Sequence, residues 1–281
     1  MTDFNNSDGK LVCNNPMTRA IIISLVLLSW LPAAALGDAE GDALAKKLYE
    51  RPDGRDSAAH TLMILEEKGR KPRQRTLYTY RVDNDDGGTW SLIRFTEPAD
   101  IDGTGLLTQD QPGDESSQWI YLPALDRTRR ISSSRKGGRF VGSDIFYEDL
   151  RKRAVENDQH RILGNGKVGK IPTIILESIP VDPGNSVYSK RISWVHANSL
   201  IPLQVDFYTA DGGKPSKHLK VNKLQKIQGY WTVLDSTMHD LDSGHQTRMV
   251  IQSIKYDQKL PSSLFSRQAL SDTRLEERYR P

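Results

Sequence analysis

The chain has 281 residues, 37% hydrophobic and 27% charged, with a formal net charge of +3. That length suits one large β domain or two small ones, the polarity excludes a membrane-embedded helical bundle, and so slight a positive balance excludes a nucleic-acid-binding protein unless the charge is strongly segregated. The single cysteine, Cys13, leaves no disulfide framework and no cysteine-based metal site.

Arg19 precedes an apolar run over residues 20–31, closed by Pro32, Ala33, Ala34, Ala35, Leu36 and Gly37. A positive start, a short apolar core and small residues at the exit are those of a secretory signal peptide, too short to span a bilayer comfortably. The sequence predicts cleavage after Ala35 or Gly37, leaving a single mature domain over residues 38–281. Met17 is an alternative start that makes residues 1–16 an extension. The leader holds Lys10 and Arg19 against Asp3 and Asp8, so the mature chain keeps the same balance. Cys13 precedes the apolar run, whereas a lipid-modified cysteine would follow it.

Residues 39–50 place Leu44, Ala45 and Leu48 at helical spacing, and Pro52-Asp53-Gly54 stops the pattern, so one amphipathic helix is expected there. Beyond it the chain alternates apolar and polar residues between turn signals. Asn84-Asp85-Asp86-Gly87-Gly88 separates strands over 77–82 and 89–95. Asp182-Pro183-Gly184-Asn185 separates 173–179 from 187–195, Asp211-Gly212-Gly213 separates 203–208 from 217–224, and Asp242-Ser243-Gly244 separates 232–239 from 246–256. Each puts Asn, Asp or Gly where a hairpin demands positive φ. With strands at 59–66 and 119–122, about ten strands are predicted, the spacing of an all-β domain.

Tyr188, Ile192 and Trp194 are expected on one strand face, and Leu203, Val205 and Phe207 alternate with Gln204, Asp206 and Tyr208. Such a sheet has one greasy face and little helix to cover it. Curled into a half-barrel it would leave a cavity that the segment 137–163 could lid; a closed, side-chain-filled barrel would give the same pattern.

Several motifs carry chemistry on paper. Gly164-Asn165-Gly166-Lys167-Val168-Gly169 matches a dinucleotide fingerprint literally, but a Pro-broken strand follows instead of a helix, so it reads as a hairpin turn. The run Asp83 to Gly87 has the flavour of a calcium loop without its closing glutamate. His239, Asp240, Asp242 and His245 bracket one hairpin tip; zinc is conceivable there, and polar decoration is the commoner outcome. Asp144, Glu148 and Asp149 offer paired acids for a glycosidase-like reaction, or caps and partners for neighbouring arginines. Lys68, Arg70, Lys71, Arg73 and Arg75 form a basic cluster, read as a solvated loop or a contact for anionic headgroups. No nucleophile elbow and no H-E-x-x-H occurs.

The stretch from Gln118 to Leu150 concentrates the remaining signal. It runs from the aromatic strand Trp119-Ile120-Tyr121-Leu122 through the cations Arg127, Arg129, Arg130, Arg135, Lys136 and Arg139, past Gly137-Gly138 and Phe140-Val141, to Phe146 and Asp149. Apolar aromatics beside exposed cations suit a surface for something amphipathic and anionic. The Trp-x-Tyr-Leu-Pro-Ala-Leu of 119–125, the Arg-x-Arg-Arg-Ile of 127–131 and the Gly-Ser-Asp…Tyr-Glu-Asp-Leu of 142–150 resemble the outer-membrane lipoprotein-sorting (LolA-like) family, in the larger branch found with transporters of the resistance-nodulation-division type. Ile93-Arg94-Phe95, Gly103-Thr104-Gly105 and Leu264-Phe265, expected in the last strand, extend the similarity over most of residues 40–270.

The resemblance implies a mainly β fold, a half-open antiparallel β-barrel with a few lid helices on its concave face. It implies a periplasmic carrier that shields the acyl chains of a lipid or lipoprotein, an inner-membrane transporter of the RND/MMPL type as partner, transient membrane contact and a monomer. It implies neither enzyme activity nor cofactor nor metal. By the same analogy Phe95, Trp119, Tyr121, Trp194, Val205 and Phe207 line the cavity, Phe146 and Tyr147 sit on the lid, and Arg127, Arg129 and Arg130 meet headgroups or the partner. Two other readings stay open: an accessory protein with a filled barrel that docks on the transporter, and a secreted hydrolase built on Asp144, Glu148 and Asp149.

Overall fold

The computed structural model describes residues 38–113, 116–209 and 213–281. The expected signal peptide, Cys13 and most of the turn at Asp211-Gly212-Gly213 lie outside the described residues. After the helix α1 (Ala39–Tyr49) come strands β1 (Asp56–Glu66), β2 (Arg73–Asp83), β3 (Thr89–Glu97), β4 (Gly105–Asp110), β5 (Ser116–Leu122) and β6 (Arg127–Arg130). Residues 131–157 then cross to β7 (Asp158–Val168), β8 (Ile171–Pro180), β9 (Lys190–His196), β10 (Ile201–Tyr208), β11 (Lys217–Ile227), β12 (Tyr230–Asp240) and β13 (Gln246–Tyr256), with a short helix α2 (Arg274–Glu277) near the end.

The strands make one 13-stranded sheet in the order β6-β5-β4-β3-β2-β1-β13-β12-β11-β10-β9-β8-β7, paired antiparallel. The sheet stays open: its edges, β6 and β7, are consecutive in sequence, so the connection between them must bridge the two ends of the sheet. That makes a half-open barrel with residues 131–157 across its concave face. The predicted hairpins are present, and β4, β6 and β7 bring the ten predicted strands to thirteen. β4 is short and opens on Gly105, β6 is four exposed residues of which three are arginine, and β7 carries Gly164 and Gly166. Each therefore lacks the alternation that marks a strand. The crossing accordingly ends at residue 157, not 163, and the hairpin expected over residues 164–169 turns only at 169–170.

Asp38 caps α1, accepting from the Gly41 amide, while its own amide donates to the His160 carbonyl at 2.8 Å. A Cβ at Gly41 would stand 2.5 Å from that carbonyl, so glycine lets the helix lie directly on the β7 edge. Leu44 and Ala45 then bury against Leu176 and Val195 on the concave face. Covering β7 in this way hides a sheet edge, while β6 protects the other with arginine side chains.

The outer face of β1–β5 is covered as well. Leu260, Leu264, Phe265 and Leu270 pack on Ala58, Tyr80, Leu92 and Leu107. Leu264 and Phe265 lie in a short 3-10 turn, Ser262–Phe265, and not in the last strand that the sequence led us to expect. The anchor is Arg94, 1% exposed. It donates to Glu276 at 2.8 Å and to the carbonyls of Gly103, Ala269 and Leu270. Gly105 makes room for that guanidinium, since a Cβ there would lie 2.6 Å from Arg94 Nη1.

Candidate functional site

The crossing segment is fastened by aromatic rings and by buried polar groups. Phe140 is fully buried among Met63, Leu65, Leu77 and Phe95, its ring centroid 5.5 Å from that of Phe95. Tyr147 meets Phe140 edge-on at 6.0 Å. Phe146 stacks on Tyr188 at 6.0 Å, and Tyr188 tilts onto Phe207 at 4.7 Å. Between these groups the chain reverses through Val141, at φ 47, and Gly142, at φ 70. A β-branched residue in the left-handed region costs on the order of 1–3 kcal/mol. Val141 is held there because Arg75 Nη1 donates to its carbonyl and Ser143 Oγ donates to the Phe140 carbonyl.

Asp144, fully buried, accepts from Thr247 Oγ1 at 2.7 Å and from Arg139 at 3.1 Å, and pairs with His245 Nδ1. Arg139 also reaches Asp240. Glu148 accepts from the Val187 amide at 2.8 Å and from Ser186 Oγ. Asp149 accepts from the Phe146 amide at 2.7 Å and from the Tyr188 hydroxyl at 2.8 Å. Lys217 Nζ lies 2.9 Å from the Phe146 ring centre and donates to the Asp144 carbonyl at 2.6 Å. Burial lowers this ammonium to about 8, against the pull of Asp149 and Asp144. Burial likewise raises the Asp149 carboxyl despite the Lys217 charge beside it. Three acids that could have formed a catalytic set thus point to three different anchors, and two residues of the supposed metal hairpin, Asp240 and His245, hold the crossing segment.

Between this segment, β5 and the 98–104 loop lies a cavity of about 770 Å³. Ile101, Ile120, Leu122, Ile131, Val141 and Tyr147 supply its apolar surface, and Arg129, Arg130, Arg135 and Arg139 outnumber Asp100 and Asp102 on its wall. Strand register explains the mixture. Arg129 pairs across Ile120 and so points to the concave side, whereas Arg130 pairs across Trp119 and donates to Ser117 Oγ at 3.1 Å.

The residues assigned by analogy divide over two faces. Phe95, Val205 and Phe207 do lie on the concave face, sealed by Phe140 and by the Phe146–Tyr188 stack. Tyr147 lines the cavity directly, while Phe146 is inserted as an anchor. Trp119 and Tyr121 alternate with Ile120 and face outward, packed against the C-terminal segment. Trp194 pairs with Ile175 and Gln204 and also faces outward, because Val195 takes the concave side. Ile192 shares its side, and Tyr188, which precedes the strand, turns to the concave face instead of sharing theirs. Arg127, Arg129 and Arg130 are all exposed, with Arg129 and Arg130 on the cavity wall and Arg127 one register step beyond it. Ile120, Ile101, Arg94 and Lys217 were not singled out for these roles. The alternation of Ile120 and Leu122 was visible, but so was that of Trp119 and Tyr121.

An open antiparallel barrel, bridged between its two edges by a lid segment, is the LolA-like fold. The fold matches a solved LolA superfamily protein from Nitrosomonas europaea, with a TM-score of 0.65 at 18% identity over 82% of this chain and 98% of that one. It also matches a Vibrio parahaemolyticus domain assigned to outer-membrane lipoprotein sorting, with a TM-score of 0.78 at 29% identity over 83% of this chain and 98% of that one. A DUF1329 family protein from Desulfovibrio piger is 30% identical over 82% of this chain and 98% of its own, with a TM-score of 0.77. A family profile described as "Uncharacterized protein" matches residues 87–272. No curated protein matches the chain. The chain belongs to the DUF1329 family.

Proposed function

We propose that this protein is a non-enzymatic carrier of an amphiphile, holding an apolar chain in the cavity beside the crossing segment and an anionic end at its arginines. The single observation that carries this reading is the wall itself: Ile101, Ile120, Leu122 and Ile131 converge beside Arg129, Arg135 and Arg139. Removing an acyl chain from water is worth about 0.8 kcal/mol per methylene, so a soluble carrier must offer such an apolar cavity. The lipoprotein-sorting assignment of the Vibrio relative supports a lipid or lipoprotein as cargo. The leader-like N-terminus and that relative together favour work in the periplasm, and we infer a monomer with transient membrane contact. An inner-membrane transporter of the RND/MMPL type is the donor we infer.

One observation favours a second reading, an accessory protein that docks on a transporter. Phe140 and Phe146 fill much of the concave face that a large cargo would need. Uptake of a fluorescent fatty acid separates the two. The carrier reading expects tight uptake, reduced about ten-fold or more by Ile101→Glu, which puts a charge into the apolar wall. Trp119→Ala, on the outer face, should leave uptake within about two-fold. No uptake by the unaltered protein, or equal loss in both variants, would overturn it.

A further inference from the structure

A second cavity, of about 550 Å³, adjoins the first at the seam of the open barrel. The two share Arg130, Ile131 and Ser132 as a common wall. Their chemistry differs sharply. Beyond Ile131 the surface of the second is polar: Ser116 and Gln118 from β5, Ser132 and Lys136 from the crossing segment, Arg151, and Gly184-Asn185 from the opposite side of the seam. Three cations, Arg130, Lys136 and Arg151, line it, and among the described residues that line it there is no carboxylate.

The acids nearby stand behind the wall. Asp110 takes the Arg151 guanidinium at 3.7 Å and accepts the Lys152 amide at 2.8 Å. Lys136 is half-buried and donates to the Gly184 carbonyl. Burial lowers its ammonium, with Arg153 and Arg151 adding to the effect and Glu148 and Asp182 opposing it. A half-buried ammonium beside other cations is relieved by an anion, and the hydroxyl donors Ser116 and Ser132 beside it suit the acceptor oxygens of a phosphoryl group. A carboxylate offers fewer acceptors and would leave part of this surface unmatched.

We propose that the second cavity is the headgroup compartment of the carrier and that it recognises a phosphoryl group. The chain of a phosphate-bearing amphiphile lies along Ile120 and Ile101, passes Ile131, and its phosphate sits between Lys136 and Ser132. This rests on the carrier reading for the chain but not for the anion, because the polar cavity stands without any lipid. It selects a phospho-amphiphile over an acylated protein N-terminus, which brings no phosphate.

Binding measured with the full chain tests it, using a lysophosphatidic acid, a fatty acid of equal chain length and inorganic phosphate as probes. The lysophosphatidic acid should bind at least about ten-fold tighter than the fatty acid, the value of one good charge-assisted hydrogen bond. Lys136→Met should remove that advantage while fatty-acid binding stays within about two-fold. Inorganic phosphate should compete with the lysophosphatidic acid and not with the fatty acid. Equal affinities for the two amphiphiles, or equal loss of both in the variant, would overturn the headgroup assignment. If inorganic phosphate binds, and binding depends on Lys136, while neither amphiphile does, the anion site stands as a site for free phosphate and the carrier reading fails. If nothing binds, both fall.

Discussion

Lys217 concentrates the physical tension of the molecule in one ammonium group, 3% exposed, between Phe146, Tyr188 and the Asp149 carboxylate. Its charge is stabilised by the ring face and the acid, yet desolvation wins and lowers it to about 8 from 10.5. Below pH 8 the lysine is charged in both the folded and the unfolded chain. Between about 8 and 10.5 the unfolded chain keeps the proton and the folded chain sheds it, so this group adds stability as pH rises through that window. Urea unfolding at pH 7 and 9.5 should show a gain on the order of 2 kcal/mol, absent in Lys217→Met. An identical pH response in the variant would show that the desolvation penalty is not located at this side chain.

At the scale of elements, the C-terminal segment and the crossing segment are ordered by buried charges rather than by their own propensities. Arg94 and Glu276 lie 182 positions apart and are each 1% exposed. Burial raises the Glu276 carboxyl even with Arg94 beside it. Removing the guanidinium in Arg94→Ala leaves a buried acid without its partner, an expected loss of about 3–5 kcal/mol in denaturant unfolding. The double replacement Arg94→Met with Glu276→Leu should recover most of it, since apolar side chains of similar volume satisfy such a site. Equal losses in the single and double variants would mean that the carbonyl contacts to Ala269 and Leu270, not the ion pair, hold the segment. These anchors also explain what the sequence hid. A buried arginine or lysine has no local signature when its partners are far along the chain. Trp119-Ile120-Tyr121-Leu122 is apolar at every position, so alternation alone does not choose which pair faces the cavity. The hairpins were legible because Asn, Asp and Gly mark reversal locally, and the helix because its apolar spacing and the Pro52-Asp53-Gly54 stop are local too. β7 was not, because Gly164 and Gly166 mimic a turn inside a strand.

For the whole molecule, opening the barrel at β6 and β7 has one dominant consequence. The connection between those edges becomes the cover of the concave face, and space remains where it meets β5 and the seam. The resemblance gave the barrel and the lid together; the filling of the face by Phe140 and Phe146 is a property of these particular side chains. The carrier account therefore requires a small cargo, seated beside the crossing segment rather than beneath it. Native mass spectrometry of the protein purified from a bacterial periplasm without detergent, followed by lipid extraction, tests this most directly. The account predicts a stoichiometric bound lipid whose extract contains a phosphate-bearing amphiphile. A clean apo mass, from a protein that also takes up no fluorescent fatty acid, would contradict it and leave a filled barrel that docks on a partner.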